Sequence, residues 1–220
     1  MSKLLNNFSP NMLKTFDECQ MKFFLKYIQK FSVPQNSKLF EKGKKIHALA
    51  SYYLNGENIE KLEKTLNSDE KTAWESLKSN KYFNLTMLNT EYNLSCKIGS
   101  HWIGGRLDAF MKDGKNYFIL DYKTGNIPKN PEQDFQTIVY LLCADKFLHH
   151  KKMAYDSLQF VYIGLKKEVE TSILLDEAFK NRYEQKIIAT CKKNDLAANS
   201  TVFIKNLSAC ENCEYNKICK

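Results

Sequence analysis

The sequence predicts an α/β domain in which a central sheet is flanked by helices, and three observations lead there. Two apolar, strand-like runs, residues 102–111 and 117–123, flank Asp113-Gly114, a dipeptide that folds antiparallel strands into a hairpin. Segments with helical periodicity and capping signals lie on both sides of this hairpin. At 220 residues the chain is long enough to bury a sizeable core as one domain, residues 1–220.

Ser9 and Pro10 read as an N-cap and a first helical residue. They open an aromatic-rich helical region through Phe23, Phe24 and Tyr27, rings assigned to the core. Residues 40–50 form a second helix carrying His47, and a stretch rich in lysine and glutamate continues the helical pattern from about 59 to 78. Strands follow near 91–97, 102–111 and 117–123. Beyond the loop of Pro128 and Pro131, a helix over about 132–148 carries Gln136 and Tyr140. Residues 157–165 read as a strand, 169–174 add another, and a last helix over about 177–191 leads to a cysteine-rich end.

The hairpin places charged side chains on one face. With Asp113 and Gly114 as a two-residue loop, Lys112 pairs with Lys115 and Asp108 falls opposite Ile119. Asp121 is then a diagonal neighbour of Asp108, with Cβ atoms roughly 7–8 Å apart. Alternation puts Lys123 on the face of Asp121 and turns Tyr122 away. Phe118-Ile119-Leu120 leads into Asp121, so this strand enters the core and delivers its charges at a buried end. Two carboxylates in oxygen-rich surroundings suit Mg²⁺ or Mn²⁺. A neighbouring lysine could orient a water or stabilise charge growing on a phosphoryl oxygen.

These residues belong to an ordered set: Gly43 to His47 on a helix, Gly105-Arg106-Leu107-Asp108, Asp121-Tyr122-Lys123-Thr124-Gly125, then Gln136 to Tyr140 four apart on one helix face. The set resembles the PD-(D/E)XK nuclease superfamily and, within it, the RecB-like exonucleases. The resemblance implies a restriction-endonuclease-like mixed sheet and a Mg²⁺- or Mn²⁺-dependent deoxyribonuclease. It implies that His47, Asp108, Asp121 and the carbonyl of Tyr122 bind the metal, the second nitrogen of His47 being fixed by an outer acceptor. It also implies that Lys123 assists the nucleophilic water, that Gln136 and Tyr140 position DNA or the carboxylates, and that Glu91, ahead of the Gly-Arg-x-Asp strand, serves catalysis.

Cys210, Cys213 and Cys219 form a Cys-x₂-Cys-x₅-Cys run, with Cys19 as a fourth candidate near the other end. Four thiolates can hold zinc or an iron–sulfur cluster, and spacing alone does not separate the two. The resemblance does: RecB-like nucleases of the AddB-type and CRISPR-associated kinds carry one cysteine before the core and three after it, ligating a [4Fe-4S] cluster. Cys19 and residues 210–219 would then form a lobe that closes the chain's two ends together. Many of these relatives have proline after the first cysteine, where this chain has Gln20. Disulfides are disfavoured by the odd total of seven cysteines and by the absence of a secretory signal. Cys96, Cys143 and Cys191, in apolar surroundings, read as buried free thiols.

Formal charge is +8, and every basic residue except Arg106 and Arg182 is lysine. A positive balance favours polyphosphate partners, and lysine reads bases less well than arginine, so weak sequence preference is expected. No run of eighteen apolar residues occurs, so no membrane span is expected, and the free thiols point to a reducing, cytoplasmic setting. The resemblance implies action on DNA, single-stranded or with free ends, in repair, recombination or CRISPR spacer acquisition, beside a helicase or a CRISPR integrase. The contrasting reading is a noncatalytic iron–sulfur subunit that binds DNA ends or acts as an adaptor. Intact Asp108, Asp121 and Lys123 argue against it.

Overall fold

The computed structural model describes residues 5–33, 37–166 and 169–219. The chain divides into two compact units, one of Met1–Gln35, Ser95–Gly105 and Glu177–Lys220, the other of Asn36–Leu94 and Arg106–Asp176.

The second unit holds most of a mixed sheet. Strand β2 (Thr86–Ile98) pairs with β3 (His101–Asp113), which runs antiparallel to β4 (Asn116–Lys123); β5 and β6 (Ser157–Gly164, Val169–Leu174) complete the order β3-β4-β5-β6. The β4–β5 pair is parallel and the β5–β6 pair antiparallel. Residues on alternate positions go to opposite layers. Ala109, Met111, Leu120, Tyr122, Val161 and Ile163 pack with Ile46, Leu49 and Ala50 of α3 (Ser37–Leu54) and with Trp74 and Leu77 of α5 (Ser68–Lys78). On the other face, α6 (Phe135–His150) meets Phe110, Phe160 and Tyr162 through Phe147, Tyr140 and Thr137. A sheet covered on both faces is what the apolar, β-branched and aromatic runs of β4 and β5 require.

The hairpin register differs from the sequence expectation by two residues. Asp113 pairs with Asn116 and Lys112 with Tyr117, so the loop is Gly114-Lys115. Gly114 has φ +57° and is the loop residue on the positive side, which is the pattern of a turn whose first central position needs glycine, where Asp-Gly would have put it second. A slip of two preserves the face of every side chain. It also carries Asp108 from opposite Ile119 to opposite Asp121, one step beyond the Ala109–Leu120 pair.

Other boundaries move for local reasons. The stretch 59–78 breaks into α4 (Glu60–Glu63) and α5, because Asn67 and Glu70 form a capping box that starts a new helix. Asp134 accepts the Gln136 N–H and starts α6 at Phe135, after a 3₁₀ turn at Pro131–Gln133. Strand β2 begins at Thr86, before Glu91.

In the first unit, β1 (Asn7–Phe8) lies parallel to the beginning of β3. Helix α1 (Pro10–Glu18), capped by Ser9, ends at Cys19, whose extended backbone also starts α2 (Gln20–Phe23). The last helix, α7 (Glu177–Ser200), runs nine residues past Cys191 because Asn194, Ala197 and Ala198 keep its inner face buried. Leu13, Phe16, Phe23, Phe179, Tyr183 and Ile187 are buried there. Among the described residues, no helix is long and apolar enough to cross a membrane.

Candidate active site

Helix α3 turns Ile46, Leu49 and Ala50 into the core, and His47 sits between them at the edge of the same layer. Its Nε2 donates to the Tyr122 carbonyl at 3.0 Å. Its Nδ1 lies 3.1 Å from Asp108 Oδ1 and 3.9 Å from Glu91 Oε1. The ligand atoms of His47, Glu91 and Asp108 all fall within 4.8 Å of one another. One imidazole nitrogen and two carboxylates at this spacing can hold a hard divalent ion.

Backbone geometry aims two of these donors. Asp108 Oδ2 accepts the Tyr122 N–H at 2.9 Å, so the aspartate fills a ladder position with its side chain. Glu91 sits inside β2 with φ +47°. A non-glycine residue held there costs about 1–3 kcal/mol, strain that collects at functional sites. Its Oε2 accepts from Arg106 Nε at 2.9 Å.

Asp121 is buried, 4% exposed, and is held from another side. Its Oδ2 is 2.7 Å from Lys123 Nζ, yet accepts no hydrogen bond of ordinary geometry. Gln136 bridges the pair: its Nε2 donates to Asp121 Oδ1 and its Oε1 accepts from Lys123 Nζ at 3.0 Å. Lys123 also lies 5.6 Å from the centre of the Tyr162 ring. Tyr140 donates to the Arg106 carbonyl at 2.8 Å and stacks parallel to Phe160.

The electrostatics follow from this crowding. Burial alone would lower the pKa of His47, but the hydrogen bond and charge of Asp108, the charge of Asp121 and the Tyr122 carbonyl outweigh it and raise the value to about 9. Burial and the charge of Asp108 push Asp121 up to about 6 against the pull of Lys123 and His47. Burial and Asp108 likewise raise Glu91 despite Arg106. Asp121 and Glu91 are thus both harder to ionise beside Asp108, which is the condition a divalent cation relieves. The donor set therefore fits a hard divalent cation.

On and beside the sheet, residues expected from the sequence fall into two groups. His47, Asp108 and Glu91 form the donor group, with the Tyr122 carbonyl engaged by His47. Asp121, expected among the ligands, is gripped by Lys123 and Gln136, and Tyr140 braces β3. Sequence reasoning gave Arg106 no role at the site, although an arginine in a lysine-dominated chain, two positions before Asp108, was a signal available to it.

In the first unit, Cys19, Cys210, Cys213 and Cys219 line a cavity of about 280 Å³. All four are free and half-buried. Cys19 Sγ accepts the N–H groups of Lys22 at 3.5 Å and Asn206 at 3.4 Å. Gln20 accepts the Ile204 N–H at 3.2 Å, and Met21 donates to the Ile204 carbonyl at 3.1 Å, tying the two ends of the chain together. Burial raises the Cys219 thiol pKa, with Lys205 opposing and the other three cysteines adding to it. Cys96, Cys143 and Cys191 are buried, and burial and Asp195 push the Cys191 thiol up to about 12.

A model of the family described as the PD-(D/E)XK nuclease superfamily matches residues 7–220. Among solved structures, the chain is similar to a protein of Eubacterium rectale named a putative exonuclease, at 9% identity and a TM-score of 0.63, over 98% of this chain and 88% of that one. It is also similar to the protein SSO0001, at 18% identity and a TM-score of 0.52, over 99% of this chain and 87% of that one. At these identities the likeness is one of fold. No curated protein matches the chain.

Proposed function

Because the chain belongs to the PD-(D/E)XK nuclease superfamily, we propose that it is a Mg²⁺- or Mn²⁺-dependent exonuclease that hydrolyses phosphodiester bonds at single-stranded DNA ends. The observation that carries this reading is the bridge by which Gln136 holds Asp121 and Lys123 together, next to a carboxylate and imidazole group suited to a divalent ion.

His47, Glu91 and Asp108 would hold the ion, with Asp121 and the Tyr122 carbonyl at its border. A bound ion supplies Lewis-acid polarisation and a more acidic water. The protein's own groups do the rest. Lys123, kept in place by Gln136 and the face of Tyr162, presents a positive charge where the phosphoryl oxygens gain negative charge. Asp121, buried against Lys123 and Gln136, fixes the position of that ammonium. Tyr140 fixes the β3 backbone on which Asp108 stands. The preference for single-stranded ends, and a setting in repair, recombination or spacer acquisition beside a helicase or CRISPR integrase, follow from the resemblance to RecB-like nucleases.

For the cysteines we propose a structural [4Fe-4S] cluster. A lone zinc ion draws four sulfurs to about 3.8 Å from one another, given bonds of about 2.3 Å. The four cysteines line, with ten other residues, a cavity of about 280 Å³, and among the described residues the group of three or more metal-binding donors within 4.8 Å is the one at His47. That spacing supports a larger guest.

The test is degradation of end-labelled single-stranded, duplex, RNA and circular substrates with Mg²⁺ or Mn²⁺ and with chelator. Metal-dependent loss of linear single strands, with circles spared, is the expected result. No cleavage of any substrate in either metal sinks the proposal. Anaerobically purified protein should be brown, with iron and sulfide; colourless protein with one zinc overturns the cluster and leaves the nuclease.

A further inference from the structure

Arg106 stands one carboxylate away from the donor group. Its Nε donates to one oxygen of Glu91 at 2.9 Å, while the other oxygen of that carboxylate lies 3.9 Å from His47 Nδ1. A single anionic group therefore spans the interval between a guanidinium and the atoms suited to a divalent ion. A phosphodiester drawn to that ion would have to place its oxygens in the same interval.

The way Arg106 is mounted separates its backbone from its side chain. Tyr140, buried and stacked on Phe160, hydrogen-bonds the Arg106 carbonyl and holds this point of β3 from the α6 side. The side chain is 66% exposed and can change partners at little cost. Its residue type matters as well. The chain meets almost every other need for positive charge with lysine, and Arg106 is one of two arginines. The planar fork of arginine binds carboxylate and phosphate by the same paired geometry, which lysine cannot reproduce. Glu91, for its part, occupies a left-handed backbone conformation within a strand, which a purely structural surface ion pair does not call for.

We infer that Arg106 grips the phosphodiester presented for cleavage, and that Glu91 occupies the guanidinium until nucleic acid arrives. A non-bridging phosphate oxygen replaces Glu91 Oε2 on Arg106, and the released carboxylate remains beside His47 and Asp108. No covalent bond changes in this exchange. The inference rests on the nuclease reading for the class of ligand, a nucleic-acid phosphate, but binding alone can test it.

The experiment measures anisotropy of a fluorescein-labelled oligothymidine with the full chain in EDTA, titrated at several KCl concentrations. Arg106→Ala should weaken binding about fivefold or more and make the salt dependence shallower by about 0.7, the share of one phosphate contact on a single strand. Arg106→Lys should recover only part of the affinity. Glu91→Gln should tighten binding two- to fivefold, since a neutral amide competes less well for the guanidinium. Affinities unchanged in Arg106→Ala and Glu91→Gln, with thermal melts showing both folded, overturn the assignment. Should the wild type cleave DNA while Arg106→Ala keeps its KM, the assignment fails and the nuclease stands. Should Arg106→Ala lose affinity in a protein that cuts nothing, the nuclease reading fails and the phosphate site stands.

Discussion

The donors on the sheet of the second unit are braced by one another, whereas the cysteines of the first are braced by backbone. Asp108 is held by His47 and the Tyr122 N–H, and Asp121 by Gln136 and Lys123, all of them on helices or strands. Cys19 sits at a helix junction and accepts two N–H groups, while Cys210 ends a 3₁₀ turn and Cys213 and Cys219 lie in the turns beyond. The first arrangement keeps its shape by contacts among its own side chains and the neighbouring backbone. In the second, Cys19 and Cys210 bond to backbone through their sulfurs, and the proposed cluster would be what holds its turns. Loss of the guest should therefore cost the first site its chemistry and the second its structure.

The sharpest way to break this contrast is to remove charge from the sheet site. Lys123→Ala and Asp121→Asn should each lower the cleavage rate by about a hundredfold or more, the scale lost when one preorganised electrostatic group is deleted. Asp121→Asn should leave thermal stability unchanged or slightly higher, because burial opposes the charged carboxylate. Retained cleavage would show that the centre lies elsewhere. A large fall in Tm would show that the network carries stability after all.

The converse substitution is Cys213→Ser. It should cost at least about 2 kcal/mol, which in a chain of this size is about 4–8 °C in Tm, with loss of brown colour. Cleavage per folded molecule should persist. A variant that melts like the wild type would mean that the backbone contacts from Gln20, Met21 and Asn206 suffice to join the chain's ends.

How much of each site was legible in the sequence follows the same division. Alternation along β3 and β4 put Asp108, Asp121 and Lys123 on one face, and the two-residue error in register did not change that face because side chains repeat every two residues. What pattern could not show was competition within the face: Gln136 takes Asp121, while Glu91 joins His47 and Asp108. Those partners come from α6 and from a strained residue of β2, and neither helical spacing nor strand alternation reports a backbone turned to φ +47°. Helix ends failed where a capping side chain outweighed periodicity, as Asn67 and Asp134 do. The cysteine spacing pointed to a metal or cluster but said nothing of Gln20, whose side chain takes the Ile204 N–H.

Proton linkage gives a smaller effect of known sign. His47, facing Asp108, Asp121 and Glu91, has a pKa raised to about 9 from 6.5, so its contribution to stability is complete below pH 6.5 and is lost as pH rises through 9. Asp121, raised to about 6, adds a loss in the same direction between pH 3.8 and 6. Denaturant unfolding of cluster-loaded protein without added divalent ion should thus show stability declining by about 1–3 kcal/mol from pH 6.5 to 9.5. With saturating Mn²⁺ the decline should flatten or reverse, since an ion that displaces the His47 proton binds more tightly as pH rises. A decline indifferent to Mn²⁺ would separate His47 from the ion.

The smallest expected change concerns Gly43, one turn before His47 on α3. A methyl group there would lie 3.4 Å from Thr124 Oγ1, an ordinary contact, so none of the described residues requires glycine at this position. Inside a helix, alanine is favoured over glycine by about 0.5–1 kcal/mol. Gly43→Ala should therefore raise stability by about that amount and leave cleavage within twofold of wild type. If the variant is more stable yet cuts poorly, the space above Gly43 is needed by the DNA strand, and the sheet site would be shaped by its substrate as well as by its own side chains.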